Sequence, residues 1–520
     1  MLGYMTSIDS RVTTADGIVE GARGKRTRRG TISWKGIPFA APPVAGLRFR
    51  DPQPVNPWPG VRDCTRFAKA AIQEKQFTAV APGKYQPVGE DCLTLNVFAP
   101  DRPSSTPRPV MFFIHGGAYI LGTAATPLYE GSLLARAQDV VVVTVQYRFG
   151  PFGFLDFGAY ATDDRPFDSN LGLKDHVAAL SWVQRNIAAF GGDPDNVTVF
   201  GESAGGTSVV SLLSTPAANG LFTRAIAESP ATELVIGKDS ARIYADEFLR
   251  LLRDPQRRST QIDTEAEPIS AADAQALLAR SSANEIHRAG DRLMKFAAAA
   301  GVDDAIPYGP VVDGDYLPAS PLDAAAAGTT LPVPLIIGSN HDEGQLFTKF
   351  WNVLPDAEKA LVRVTDEQDR REIRALYNGG QRDDVQLAAD AVFWAPMVAF
   401  AEGHSRVAPT YVYRYDFHTR ILAATGVGAT HATELFAVFG AYRTALGAGL
   451  AVGDWRSTGR VIADVQDRWG AFATGGVPGV GWPAYESGSR KVLIIDDPDR
   501  VQTDPEGARR AAWQKVHASA

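Results

Sequence analysis

A serine with glycines two residues away on either side stands at Gly201-Glu202-Ser203-Ala204-Gly205. That spacing suits a nucleophile, because the backbone turns so sharply there that larger flanking side chains would clash. With 49 glycines in 520 residues, the pattern arises by chance in roughly one such chain in four, so its surroundings decide. It follows an apolar β-branched run, Asn196 to Phe200, and precedes a helix-like run, Ser208 to Ser214. Strand, turn, helix is the placement that exposes a serine Oγ for acyl transfer. Such a reaction puts negative charge on the former carbonyl oxygen, and losing one pre-aimed N–H donor to it costs on the order of 3 kcal/mol. The run His115-Gly116-Gly117-Ala118-Tyr119 has the small residues that let backbone approach an oxygen closely, and Ala204, next after the serine, supplies another donor. His115 reads as a residue that orients this loop rather than as a base.

A serine needs a base, and the base needs a carboxylate to hold its tautomer and offset its charge. There are eight histidines. His176 falls mid-helix, His287 in a helical insertion, and His517 near the chain end. His431 lies in the glycine-rich stretch GVGATHATELFAVFG, after a strand and before an apolar helical run, which suits a base. His341, His404 and His418 stay open on spacing alone. So does the choice between Asp342 and Glu343 as the acid.

The elements that must position these groups read as an α/β chain. The first sixty residues alternate apolar and polar around turn residues and predict hairpins. A basic run here, Arg23, Lys25, Arg26, Arg28 and Arg29, reads as a solvated hairpin rather than a twin-arginine signal, since Lys35 and Pro38 interrupt the apolar stretch after it. The runs 109–117 and 139–148 are short, dense and β-branched or aromatic, as strands buried on both faces are. Val177, Leu180, Val183 and Ile187 recur at helical spacing from Leu173 to Ala189, and GGDPDN then stops the helix. Further strands are predicted at 331–340 and 411–417, with helical spacing between about 236 and 300 marking an insertion. No internal repeat or low-complexity tract appears.

Composition narrows the classes. At 45% hydrophobic and 21% charged the chain is globular, and roughly 150 residues per domain suggests three or four domains. A net charge of −7 argues against a general polyanion binder, hence no nucleic acid. No stretch reaches the roughly 20 uninterrupted apolar residues of a spanning helix, and the first residues show neither a basic n-region nor an apolar h-region. The expectation is a cytoplasmic chain with no membrane association. Two cysteines, Cys64 and Cys92, allow one bridge and no four-thiolate metal site.

In order along the chain stand WKGIPFAAPPVAGLRF, EDCLTLNVFAP, HGGAY, YRFGPFGFL, NLGLKDHVAALSWVQRNIAAFGGDPDNVTVFGESAGG, VVDGDYLP, GSNHDEG and GATHATEL. Over nearly its whole length the chain resembles the type B carboxylesterases, the α/β-hydrolase family that includes bacterial nitrobenzyl esterases and cholinesterases. The resemblance implies Ser203 as nucleophile, Glu343 as triad acid and His431 as base, in the chain order α/β-hydrolases use. It implies oxyanion donors at Gly117, Ala118 and Ala204. Gly116, Glu202 and Ser229 fall beside these groups, although Pro230 stands where the family usually has glycine. It implies buried ion pairs Arg48–Glu90 and Arg148–Asp175. Cys64 and Cys92 match the family's first disulfide, while a reducing compartment favours two thiols, so the bridge stays open.

The resulting expectation is one α/β-hydrolase unit over residues 1–520 with a mostly parallel central sheet, overruling the length prior. Its reaction would be hydrolysis of a small-molecule carboxylic ester through an acyl-enzyme, with no metal or organic cofactor. Activity should fall as pH drops through a His431 pKa near neutrality. Phe393 and Trp394 lie where family members line the pocket, with a core role as the alternative. The rivals are amidase, thioesterase or lipase activity on the same triad, and a binding module that has lost catalysis.

Overall fold

The structure, a computed structural model, describes residues 9–258, 260–263, 267–300, 306–350, 354–362 and 364–518. The side chain of His517 lies outside the described residues. The central sheet takes strands from nearly the whole length of the chain: β1 Ala22–Arg23, β2 Thr31–Pro38, β3 Thr94–Pro100, β4 Arg108–Ile114, β5 Val141–Val145, β6 Gly192–Glu202, β7 Arg224–Glu228, β8 Leu335–Asn340, β9 Thr410–Tyr415, β10 Lys491–Ile495 and β11 Arg500–Thr503. Their order across the sheet is β11-β10-β9-β8-β7-β6-β4-β5-β3-β2-β1. From β10 to β5 all neighbours run parallel, and the strands beyond each end pair antiparallel. Because one sheet collects Ala22 through Thr503, the three or four units suggested by length do not correspond to separate sheets.

The parallel strands are dense in apolar residues because both faces are covered. Alternate side chains point to opposite layers: Val110, Phe112 and Ile114 of β4 enter one core, Met111 and Phe113 the other. The same alternation divides Ile336 from Leu335 and Ile337 on β8. Two predicted strands differ in where they start. Proline at 332 and 334 removes N–H donors the ladder needs, so β8 begins late, at Leu335. β6 instead begins early, at Gly192, which pairs with Arg108 before a bulge that ends at Val197.

The predicted helix before the nucleophile strand is α1, Leu171–Asn186. A 3-10 turn, Ile187–Phe190, comes next and ends on Gly191 at φ 81°. α2, Ala204–Leu213, starts immediately after Ser203. The insertion consists of α3 Lys238–Arg253, α4 Ala271–Arg280 and α5 Ala283–Ala300. Its α4 is capped by the Ser270 hydroxyl, which accepts from Asp273 N at 3.1 Å and so satisfies one of the open donors of the first turn.

Later come α6 Gln381–Ala389, a π turn Asp390–Trp394, α7 Ala395–His404, α8 Trp455–Gly475 and α9 Gly507–Ala518. The continuous run Gln381–His404 is long and apolar enough by length and hydropathy to cross a membrane, but 61% of its apolar window is buried inside the protein, as in a core helix. The basic run near the N-terminus forms an exposed 3-10 turn at Arg26–Arg28 after β1, in line with a solvated hairpin.

Candidate active site

Ser203 sits between the end of β6 and the start of α2 with φ 59° and ψ −124°, a conformation that costs an L-residue and persists only where its surroundings hold it. The surroundings are the glycines of the motif. A Cβ on Gly205 would run into the Ile114 carbonyl oxygen, and one on Gly116 would come within 2.9 Å of Ser203 Cβ. Ser203 N–H donates to Glu228 O at 2.9 Å, fixing the turn to the neighbouring strand β7.

The loop after β4 carries the predicted oxyanion donors. Gly117, Ala118 and Tyr119 all have positive φ, at 122°, 51° and 58°. Among the described residues the N–H groups of Gly117, Ala118 and Ala204 donate to no protein acceptor. His115 is fully buried. Its Nδ1–H donates to Gly116 O at 2.8 Å, and its own carbonyl accepts from Tyr147 OH at 2.9 Å. Burial lowers its pKa to about 4, so it stays neutral and acts as the brace expected for this loop.

Glu343 and His431 meet although 88 residues separate them, with Glu343 Oε2 to His431 Nδ1 at 2.5 Å. Glu343 follows β8 and His431 follows β9, adjacent parallel strands. Glu343 Oε1 accepts from Ser229 Oγ at 2.6 Å and from Asn340 N at 2.7 Å. Ser229 therefore does bond Glu343, even with Pro230 following. Asp342 is occupied elsewhere, bonding Arg382 and the Ala429 N–H, and it is Glu343 that meets His431. His431 Nε2 faces the Glu202–Ser203 turn, 3.1 Å from Glu202 Oε1. Among the described residues, no hydrogen bond joins it to Ser203 Oγ, a link that in ligand-free sites often tightens only with substrate bound.

The remaining histidines have other partners. His404 is held by Thr330 and the Val333 carbonyl, His418 by the Asp416 carbonyl, and His341 by Asp342. His287 faces Glu74 and Asp291. His176 is buried and packs edge-on to Tyr147.

Sequence reasoning missed a carboxylate. Glu434, three residues after His431, is buried and accepts from Asn340 Nδ2 at 2.5 Å. Its position within GATHATEL was visible, but its partner comes from β8 and no local pattern signals it. Burial raises the Glu202 pKa to about 7 and, with repulsion from Glu202 and Glu343, that of Glu434 to about 8. Burial also works against charge on His431, yet Glu202, Glu343 and Glu434 outweigh it and push its pKa up to about 9. These groups share protons as one unit, and the direction for the imidazole is upward. The near-neutral value expected from sequence is corrected upward, because three carboxylates rather than one surround the imidazole.

Phe393 and Trp394 part company. Phe393 places its ring 4.7 Å from the His431 ring and stacks on Phe347, itself 4.8 Å from His431. Trp394 packs against two hydrophobic clusters with the Arg509 guanidinium 5.8 Å from its ring. Of the pair, Phe393 alone meets His431 among the described contacts, while Trp394 is half-buried against the two clusters.

Arg48–Glu90 and Arg148–Asp175 are both bidentate ion pairs, the second buried at 4% and 0% side-chain exposure. Cys64 and Cys92 are free and buried.

The chain matches the Carboxylesterase family over residues 8–513. It is 37% identical to the para-nitrobenzyl esterase of Bacillus subtilis (strain 168), over 96% of this chain and 97% of that protein. It is 33% identical to a fumonisin B1 esterase of Sphingopyxis macrogoltabida, over 91% of this chain and 84% of that one. Among solved structures, a PNB esterase superposes with TM-score 0.84 at 36% identity, covering 97% of this chain and 99% of the other. A Geobacillus stearothermophilus carboxylesterase does so with TM-score 0.80 at 33% identity, covering 97% and 100%. The chain belongs to the carboxylesterase family, and is a carboxylic-ester hydrolase with the α/β-hydrolase fold.

Proposed function

We propose that this enzyme hydrolyses small carboxylic esters through an acyl-enzyme on Ser203, with His431 as general base and acid and Glu343 as the acid of the triad. The observation that carries the reading is the 2.5 Å bond from His431 Nδ1 to Glu343, which turns Nε2 toward the Glu202–Ser203 turn. Ser203 Oγ gives its proton to Nε2 as it attacks the ester carbonyl, and Glu343 stabilises the imidazolium that forms. The oxyanion falls to the N–H groups of Gly117, Ala118 and Ala204. His431 then protonates the leaving alcohol, and water repeats the sequence to release the acid. Gly116 lets the oxyanion loop lie against the nucleophile, and Ser229 holds Glu343.

The chain is read as one hydrolase unit over residues 1–520, with the helices of about 236–300 inserted in it, since all three triad residues follow strands of the same sheet. The test is hydrolysis of p-nitrophenyl esters of short to long acyl chains, with matched amides alongside, by the native enzyme and by Ser203→Ala. Turnover of esters by the native protein and its loss in the folded variant supports the reading. Undiminished turnover in Ser203→Ala rejects it, and equal rates on amides reject the restriction to esters.

A further inference from the structure

The helix that passes the catalytic imidazole is broken by the π turn Asp390–Trp394 between α6 and α7. A π turn accommodates one extra residue, so the side chains after it are rotated by roughly 100° relative to those before. Leu387 and Ala388, before the turn, pack with Tyr377 and Trp513. Met397 and Phe400, after it, pack in the main core. Between these two facings the turn points Phe393 at His431. Isolated π turns are rare and concentrate at functional sites, so what holds this one is informative.

What holds it is Asp390, the first residue of the turn, 3% exposed. Its carboxylate accepts from Tyr377 OH at 2.7 Å, Gln386 Nε2 at 2.7 Å and Arg509 Nη1 at 2.8 Å. Tyr377 OH in turn accepts from Trp513 Nε1 at 3.1 Å, and Arg509 also bonds Glu506 at 2.6 Å. Arg509 and Trp513 both belong to α9. Contacts thus lead from α9 to Asp390, and the π turn that Asp390 opens carries Phe393 to the imidazole.

We infer that Asp390, clamped by Arg509, is a positioning residue for the base: it sets the π turn that keeps Phe393 against His431. This rests on the reading of His431 as base. The imidazole must point at the serine and then at the leaving alcohol with little reorientation, and misplacement on the order of 1 Å costs about a hundredfold. A ring packed beside it limits that movement. Asp390 touches no reacting atom and acts only through Phe393.

The experiment is a double-mutant cycle on ester hydrolysis with Asp390→Asn, Phe393→Leu and the double variant, each first shown to be folded by its thermal transition. We expect each single change to lower kcat about tenfold with KM moved less than about twofold, and the double variant to be no slower than the slower single. Both single variants should also move the acid limb of kcat/KM to higher pH, since loosening Phe393 admits water to the imidazolium while Glu202, Glu343 and Glu434 still face it. Tyr377→Phe, which removes one bond to Asp390 without burying an unpaired charge, should give a smaller fall in kcat and stands in if Asp390→Asn does not fold. The inference is overturned if the two effects multiply, if KM rather than kcat changes, or if Tyr377→Phe matches the native enzyme. Ser203→Ala run in parallel keeps the two readings apart: an active Ser203→Ala rejects the nucleophile, whereas an inactive one with multiplicative Asp390 and Phe393 effects rejects only the positioning role.

Discussion

Ser229 donates its hydroxyl hydrogen to Glu343 Oε1 at 2.6 Å from a backbone held at φ 46°. The strained conformation aims a short side chain at a carboxylate that would otherwise depend on the Asn340 N–H and on His431 alone. Ser229→Ala should lower kcat/KM about tenfold, because hydrogen bonds to charged groups contribute about 1.5–3 kcal/mol and two partners of Glu343 remain. Steady-state kinetics on one ester checks this, and an unchanged kcat/KM would show that Glu343 needs no third partner.

His431 titrates in a field of carboxylates. A carboxylate favours the imidazolium, and Glu202, Glu343 and Glu434 together push the His431 pKa up to about 9 against the opposing effect of burial. The acid limb of kcat/KM should therefore lie above the ordinary imidazole range. Glu202→Gln removes one negative charge, favours the neutral base, and should move that limb to lower pH by about one unit. A pH profile of both proteins decides it, and a limb that stays put or rises would sink the assignment.

Adjacent aromatic residues should give unlike phenotypes. Phe393→Ala should change the ranking of esters by acyl size, since its ring lies beside the imidazole. Trp394→Ala should leave that ranking alone and lower stability by less than about 3–5 kcal/mol, the cost for a fully buried aromatic, since the indole is half-buried. Acyl-chain profiles with thermal melts separate the two, and identical profiles for both variants would contradict it.

Arg148 and Asp175 test the interior of the fold. Asp175 accepts Nε and Nη2 of Arg148 and also its backbone N–H. Asp175→Asn should destabilise by about 3–5 kcal/mol, because it leaves a buried guanidinium uncompensated, while Arg148→Met with Asp175→Leu should cost less. Denaturant midpoints rank the three proteins. A double variant weaker than the single would reverse the argument.

The two thiols are a matter of access. Burial pushes the Cys64 pKa up to about 12 and raises that of Cys92 as well, so little thiolate exists near neutrality. Both should resist iodoacetamide in the native protein and react promptly in denaturant, as read by intact mass. A native protein lacking two free thiols after denaturation would show a bridge instead.

Most of the fold was legible because buried parallel strands need no partner to be recognised: 109–117 and 139–148 are dense in apolar residues, and β4 and β5 lie largely inside them. The sharp turn at Ser203 was legible for a different reason. Its strain is local, and local strain selects glycine at 201 and 205. What escaped was set by tertiary contact. Spacing alone left Asp342 and Glu343 open and only the resemblance pointed to Glu343, because it is the pairing of β8 with β9 that brings it to His431. Glu434 acquires its role through Asn340, 94 residues away. The divergence of Phe393 from Trp394 depends on a π turn held by a residue of the last helix, and no periodicity in 381–404 announces it.

The sheet order has a consequence for synthesis. Ser203, Glu343 and His431 follow β6, β8 and β9, and β9 pairs on its far side with β10, residues Lys491–Ile495. As the chain leaves the ribosome the turn at Ser203 emerges first, Glu343 next and His431 after it, with the strand that backs it later still. A nascent polypeptide stalled short of residue 431 would therefore carry Ser203 without its proposed base.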